Sequence, residues 1–318
     1  MHLKLPLFLV GAGAFLWGII GIFVTNLYAI GYTPLQVVAI RALFASISLV
    51  LYIVVKDRSL LKINISDSKY FIGTGIISFV LFNWCLFRAM EVTSISISVI
   101  LLYTAPAFVA ICSRILFKEW LTTRKVIALI ATFIGCAFVI GVLPSFHGSI
   151  SFLGLLFGLG SGLFYALYSI FGKYALRKYN AITVTVYTFI FAATAVTPFS
   201  GLWSAASLFS SLNAWLNIIG LGLFSTLLAF LLYTKGLTKI ESSRASILAT
   251  IEPVVASIMS FLVFSETLHL WQYIGILMVI AAVVFVQESG RKEIVHKKES
   301  SLGNNEARNN SITRFKQN

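Results

Sequence analysis

The sequence predicts an all-α integral membrane protein whose ten transmembrane helices form two inverted five-helix repeats. Hydrophobic residues make up 58% of the 318 residues and charged residues only 11%, whereas about a quarter of a soluble domain is charged. The apolar residues fall in runs of roughly 20, the length that crosses about 30 Å of hydrocarbon. The third observation is that the second half of the chain repeats the first.

The apolar runs define ten expected helices joined by short connections, except for the longer segment 56–69. The polar, charged residues 288–318 are expected to form a disordered tail, because they cannot bury enough apolar surface. The expected helices are 7–27, 35–55, 70–90, 95–117, 126–143, 152–172, 182–203, 214–234, 244–264 and 271–287.

The distribution of Lys and Arg predicts the orientation in the cell membrane. With the N-terminus inside, nineteen of these residues fall on segments assigned to the cytoplasm, and the other side receives Arg88, Lys235, Lys239 and Arg244. Cytoplasmic loops carry an excess of Lys and Arg, so both termini are expected in the cytoplasm. The loop between the eighth and ninth helices fits this assignment least well. The same bias explains the net charge of +13 without a nucleic-acid partner.

An internal repeat relates the fourth and ninth expected helices. Ile100–Leu121 aligns without gaps on Ile247–Leu268 at an offset of 147, and the alignment pairs Pro106 with Pro253. The first and sixth helices share a small–aromatic–small pattern, in which Gly13, Trp17 and Gly21 match Ser161, Tyr165 and Ser169. Residues 7–143 and 152–287 are therefore expected to be two copies of one unit. Because five is odd, the second copy crosses the membrane in the opposite direction, as in many secondary transporters.

This organisation resembles the drug/metabolite transporter superfamily, and its EamA-type branch in particular. The second half carries the fuller pattern, YTKGLTKIESSRASILATIEPVVASIMSFLVFSETLHLWQYIGILMVIAA, and the first half carries FRAMEVTSISISVILLYTAPAFVAICSRILFKEWL. The resemblance implies alternating access around a central cavity between the two halves. It also implies a small-molecule substrate, such as an amino acid or a related metabolite, that is exported.

Glu252 and the two prolines are the first candidates for a functional role. A carboxylate inside a span costs about 2.5–3.5 kcal/mol, and Glu252 lies about 12 Å from the start of its helix at 1.5 Å per residue. It is expected to exchange protons or to bind a cationic substrate group; the alternative is a protonated Glu that only holds helices together. Pro106 and Pro253 each remove a helix hydrogen bond, which favours a shared hinge, although a packed kink remains open.

Aromatic and polar residues on helices 1, 3, 4 and 6 are the remaining candidates for substrate binding. The resemblance places these helices around the cavity, and any one of the residues could instead be a packing residue. The candidates are Trp17, Asn83, Tyr103, Tyr165 and Tyr168.

Three other features lead to structural expectations. Arg41 lies in the second span and is expected to extend its charge to the membrane surface, with a structural role as the alternative. Glu119 and its repeat partner Glu266 are expected to pin loops or cap the following helix. Gly154, Gly158 and Gly162 form a GxxxG stripe that predicts close helix contact.

Other function classes find less support in the sequence. It has no HExxH, nucleophile-elbow or Walker motif, so we expect no enzyme activity, no metal, no cofactor and no direct use of ATP. Sugar phosphates would need several basic residues at depth, and Arg41 is the single candidate. The rivals to a transporter are an intramembrane enzyme, a lipid-handling protein and a structural membrane protein.

Overall fold

The computed structural model describes residues 4–144, 151–265 and 267–286, and the predicted tail 288–318 lies outside them. The described residues are helical and contain no strand, which confirms the predicted fold class. Eight helices are long and apolar enough to span a membrane, and two shorter ones complete the set. In chain order the helices are α1 Lys4–Ile30, α2 Pro34–Lys56, α3 Ile65–Val92, α4 Ile95–Leu116, α5 Thr123–Val139, α6 Phe152–Ala175, α7 Ala181–Phe199, α8 Leu212–Leu237, α9 Ser242–Phe264 and α10 Leu270–Val286.

Helices α3 and α8 are each interrupted by a π-helical segment near their middle. The segments are Gly73–Val80 in α3 and Leu223–Leu228 in α8. These two helices hold the third position in their respective halves, so the irregularity is repeated. Such π-helical insertions are rare and occur mostly at functional sites.

Helices α4 and α9 are both broken just before their proline. Helix α4 stops at Leu102 and restarts at Ala105, and α9 pauses at Thr250. The prolines remove backbone donors at these breaks, as their sequence positions predict. On the N-terminal side of each break a threonine hydroxyl donates to the carbonyl three residues earlier: Thr104 Oγ1 lies 2.6 Å from Leu101 O, and Thr250 Oγ1 lies 2.6 Å from Ile247 O.

Equivalent helices of the two halves make equivalent packing contacts. Helix α1 packs on α8 and α9, and its counterpart α6 packs on α3 and α4. Glycines allow the close approach: a Cβ at Gly18 would lie 2.8 Å from Glu252 O on α9, and one at Gly162 would lie 3.0 Å from Leu101 O on α4. The predicted glycine stripe on α6 thus makes the close contact expected of it, with Gly154 and Gly158 against Thr93 and Leu101.

Contacts between connections define the two faces of the molecule. Lys125 of α5 pairs with Glu241 before α9 at 2.7 Å, and Lys173 of α6 donates to Leu237 O and Ile240 O at the end of α8. The connections before α3, α5, α7 and α9 therefore share one face, which we call the basic face. The other connections lie on what we call the opposite face. Helix α4 ends at the basic face whereas α9 begins there, so the fourth helices of the two halves run in opposite directions.

The position of the α8–α9 connection corrects one sequence assignment. Lys235, Lys239 and Arg244 were counted on the outer side, but they lie on the basic face with Lys125 and Lys173. After eight crossings the chain is back on the face where it started, so the connection after α8 must lie on the same face as the start of α1. Both described ends also belong to the basic face, where Arg244 donates to Val286 O at 3.2 Å. The correction strengthens the excess of Lys and Arg on one face. Of the four residues that were counted against it, only Arg88 stays on the opposite face.

Candidate functional site

A small aromatic cavity lies between the two halves of the molecule. It is formed by α1 and α3 of the first half and by their counterparts α6 and α8 of the second. Its volume of about 30 Å³ suffices for one or two water molecules and is too small for an organic molecule. The lining residues are Trp17, Ser78, Phe79, Phe82, Tyr165, Tyr168, Ser169, Phe230 and Tyr233.

Trp17 is the buried centre of the aromatic wall. Its ring lies 5.0 Å from both Phe230 and Tyr233 and 6.3 Å from Tyr165, measured between ring centroids. Its indole Nε1 is buried without a hydrogen-bond partner among the described residues. A buried unpaired donor costs on the order of 1–3 kcal/mol. A residue of the cavity wall therefore carries an unpaired hydrogen-bond donor.

Glu252 lies at the edge of this wall, directly after the break in α9. Tyr165 is its hydrogen-bond partner, with a distance of 3.4 Å between Tyr165 Oη and Glu252 Oε2. The acid therefore contacts one of the residues that line the cavity.

Hydroxyl pairs connect α6 and α8 on the far side of the cavity. Tyr168 Oη lies 2.6 Å from Thr234 Oγ1, and Ser169 Oγ lies 2.7 Å from Tyr233 Oη. The sequence identified Tyr168, while Tyr233 and its partner Ser169 were missed. The signal for them was available in the small–aromatic–small pattern of α6, to which Ser169 belongs.

Arg41 does not reach the membrane surface, so the expectation of snorkelling was wrong. Its side chain is buried, and its Nε donates to Thr226 Oγ1 at 3.2 Å inside the π segment of α8. The guanidinium carbon lies 5.2 Å above the ring of Phe79, which belongs to the π segment of α3. Arg41 therefore connects the two irregular helices across the halves.

The other predicted site residues lie outside the cavity wall. Asn83 is buried, and its Nδ2 donates to Phe79 O of its own helix at 2.7 Å. Tyr103 lies at the break in α4. Pro106 and Pro253 are buried one turn or less after the two breaks, as expected of a hinge or of a packed kink.

Charged contacts close the basic face between the halves. The Glu119 carboxylate accepts from Ser242 N at 2.8 Å, from Ser243 N at 3.1 Å and from Ser243 Oγ at 2.6 Å. It therefore caps α9 and pins the α8–α9 connection to α4, which fits the first of the two expectations, whereas the following helix α5 is capped by its own Thr122. Glu266, its repeat partner, lies outside the described residues.

Neutral hydrogen bonds close the opposite face. Asn26 donates to Asn217 at 3.2 Å, and Gln36 donates to Gly201 O at 3.1 Å. Hydrogen bonds that involve a charged group are roughly twice as strong as neutral ones. Opening the basic face thus breaks stronger bonds than opening the opposite face.

Comparison with known proteins agrees with this architecture. The EamA-like transporter family matches residues 4–141 and 152–287. An uncharacterized transporter of Archaeoglobus fulgidus is 29% identical over 271 residues, covering 85% of this chain and 92% of that protein. The uncharacterized transporter YyaM of Bacillus subtilis is 28% identical over 271 residues, covering 81% and 86%.

A solved crystal structure shares the fold. It superposes with a TM-score of 0.74 at 16% sequence identity, covering 89% of this chain and 97% of that one. The two family matches fall on the two halves that exchange their packing partners in the structure. The chain is thus a membrane protein that belongs to the EamA-like transporter family.

Proposed function

We propose that this protein is a secondary transporter that exports amino acids or related small metabolites by alternating access, and that Glu252 couples export to protons. The observation that carries the proposal is the small aromatic cavity between two inverted halves, with a carboxylate hydrogen-bonded to Tyr165 of its wall. The low dielectric of the membrane disfavours a charged carboxylate, so Glu252 takes up a proton from one side and releases it when it meets water on the other.

The breaks in α4 and α9 provide the movement that such a cycle needs. Each break divides its helix into two parts, and the part of α9 that carries Glu252 packs on α1, which forms the cavity wall. A change in angle at Pro253 moves the carboxylate relative to Tyr165. The positive-inside bias supports a plasma-membrane orientation with both termini in the cytoplasm.

Reconstitution in liposomes tests the proposal. Vesicles loaded with the twenty proteinogenic amino acids are given a pH gradient, and the released solutes are quantified by mass spectrometry. We expect wild-type vesicles to release a subset of these solutes faster than protein-free vesicles, with a rate that rises with the gradient. Glu252→Gln keeps the size of the side chain but cannot ionise, so gradient-driven release should fall to background while exchange across equal pH persists.

Glu91→Gln is the matched control, because Glu91 is an exposed acid paired with Arg88 on the opposite face. It should behave as the wild type. Full gradient-driven release by the Glu252→Gln protein would assign Glu252 a structural role. The absence of any solute release by the wild type would refute the transport proposal itself.

A further inference from the structure

We infer that Arg41 and Thr226 form an anion subsite that holds a single carboxylate group of the transported molecule. The inference rests on the proposed transport function and adds the chemistry by which one end of the substrate is recognised. It starts from the burial of Arg41, which is 8% exposed within the span of α2. A full positive charge in this position is expensive unless it serves a partner or a ligand.

The internal bonds of Arg41 leave most of its donors available. A guanidinium has five N–H donors, and the described residues accept from Nε alone, through Thr226 Oγ1. The hydroxyl of Thr226 donates in turn to Leu221 O at 2.9 Å. Its proton is therefore committed to the helix, and its lone pairs face Arg41. This chain fixes the orientation of the guanidinium and leaves the two Nη groups free to form the paired bonds that carboxylates accept.

The charge of Arg41 is not neutralised by an ion pair with a described residue. Glu252 contacts Tyr165 and Arg41 contacts Phe79, and both aromatic residues line the same cavity, yet no contact within 4.0 Å joins the carboxylate to the guanidinium. Two opposite charges that border one cavity without touching suit a ligand that bears both charges. A carboxylate would bind Arg41, and a cationic or protonated group of the same molecule would face Glu252.

The subsite adjoins the cavity. The guanidinium carbon lies 5.2 Å from the centre of the Phe79 ring, and this ring also forms part of the cavity wall, so Arg41 contacts a residue that lines the empty volume. The buried Nε1 of Trp17 supplies a second free donor in the same wall. One arginine balances one negative charge, and Glu252 repels a second, so the site favours a monocarboxylate over a phosphate dianion.

Binding to the purified protein tests the inference independently of transport. The probes are L-amino acids, each compared with its carboxamide and with the amine that lacks the carboxyl group. Affinity is read from the concentration-dependent rise of the thermal unfolding midpoint. We expect at least one amino acid to stabilise the wild type, with its carboxamide and amine binding about 10- to 100-fold more weakly, since a hydrogen bond to a charged group contributes roughly 1.5–3 kcal/mol.

Substitution at Arg41 then assigns the selectivity to this side chain. Arg41→Gln should bind the amino acid and its carboxamide with equal affinity, and Arg41→Lys should show an intermediate ratio. Arg88→Gln, which changes an exposed arginine, should keep the wild-type ratio. Retention of the wild-type ratio by Arg41→Gln would overturn the inference and leave Arg41 as a bridge between the π segments.

The wild-type measurement keeps the inference falsifiable if Arg41→Gln does not fold. Equal stabilisation by amino acids and carboxamides would overturn it without any variant. Thr226→Val removes the hydroxyl that orients Arg41 and should lower the ratio while keeping the charge. Arg41-dependent binding without solute release by vesicles would support the subsite and refute transport, whereas release that ignores the carboxyl group would support transport and refute the subsite.

Discussion

Helices α4 and α9 are built on the same plan but are completed by different residues. Each is broken before a proline, each has a threonine hydroxyl bonded back across the turn, and each is contacted by a glycine of the other half. Next to the break the repeat aligns Ala105 with Glu252, so the acid occurs in α9 alone, and it aligns Thr104 with Ile251, so the two threonines occupy neighbouring rather than equivalent positions. They also differ at their N-termini, because Ser94 caps α4 from within and Glu119 caps α9 from the other half.

The comparison separates what the repeat requires from what the function adds. A feature present in both halves, such as the break, is part of the common scaffold and of its movement. Glu252 occurs once, so the scaffold does not need it, and a specific chemical role explains its cost best. The Glu119 cap likewise makes one face differ from the other.

The close helix contacts should show the largest effect on stability. Gly18→Ala places a Cβ 2.5 Å from Val255 Cβ, and Gly162→Ala places one 2.6 Å from Thr104 Oγ1. Overpacking of this kind costs about 1–3 kcal/mol, and we expect similar decreases in the unfolding midpoint for both variants in detergent. Gly11→Ala is the control, since a Cβ there meets nothing within 4 Å. An effect of Gly18→Ala or Gly162→Ala no larger than that of Gly11→Ala would contradict the close contact between the halves.

Much of this scaffold could be predicted from the sequence. The spans, the repeat and the breaks at Pro106 and Pro253 follow from apolar runs, from aligned residues and from the missing proline donor. The face on which the α8–α9 connection lies also follows from the alternation of ten spans. The count of basic residues assigned this connection to the other face and was wrong there. The glycine stripe on α6 correctly indicated a tight contact, because small residues in a span allow backbones to approach.

The candidate site was less accessible from the sequence. Arg41 stands alone in an apolar run, and nothing local shows whether it turns to the lipid or to Thr226, which is 185 residues away. Glu119 finds its partner at Ser242, 123 residues away, so its loop position suggested only a local cap. The π segments of α3 and α8 have no proline to mark them. These features depend on the packing of the halves.

Removing the Glu119 cap should give the second-largest effect. Glu119→Ala leaves two backbone donors of α9 without their carboxylate, and we expect a loss of about 2 kcal/mol, the upper range for a helix cap. Ser94→Ala removes the hydroxyl that accepts from Ile97 N in α4 and should cost about 1 kcal/mol. Thermal unfolding compares the two.

The same variants differ in their effect on the two faces. Glu119→Ala should make a cysteine placed at Ser242 react faster with a water-soluble maleimide, because the cross-half contact at the basic face is lost. Ser94→Ala should leave that rate unchanged. An equal rate in both variants would mean that Glu119 serves only as a helix cap.

The threonines at the breaks should show a smaller and equal effect. Thr104→Val and Thr250→Val keep the side-chain shape and remove the hydroxyl bonds to Leu101 O and Ile247 O. Each loss should cost about 1 kcal/mol, the net value of an intramolecular hydrogen bond. If the two variants lower the unfolding midpoint equally but Thr250→Val slows transport more than Thr104→Val does, α9 moves more than α4. Equal slowing of transport by the two variants would favour symmetric movement.

The smallest effect is expected at the surface of the basic face, where α3 and the α6–α7 connection are joined. Lys178 Nζ donates to Asp67 at 2.7 Å, and this hydrogen bond raises the pKa of Lys178 above its ordinary value. A raised lysine pKa means that the stabilisation is complete at neutral pH and is lost as the pH rises through that value. Lys178→Met should therefore lower the unfolding midpoint slightly at pH 7, and the difference from the wild type should vanish at strongly alkaline pH.

Arg88→Met is the control for this prediction. It removes the exposed pair with Glu91 on the opposite face, and exposed pairs contribute little. A larger loss for Arg88→Met than for Lys178→Met would contradict the difference between the faces, because it would place the stronger charged contact where the neutral bonds lie.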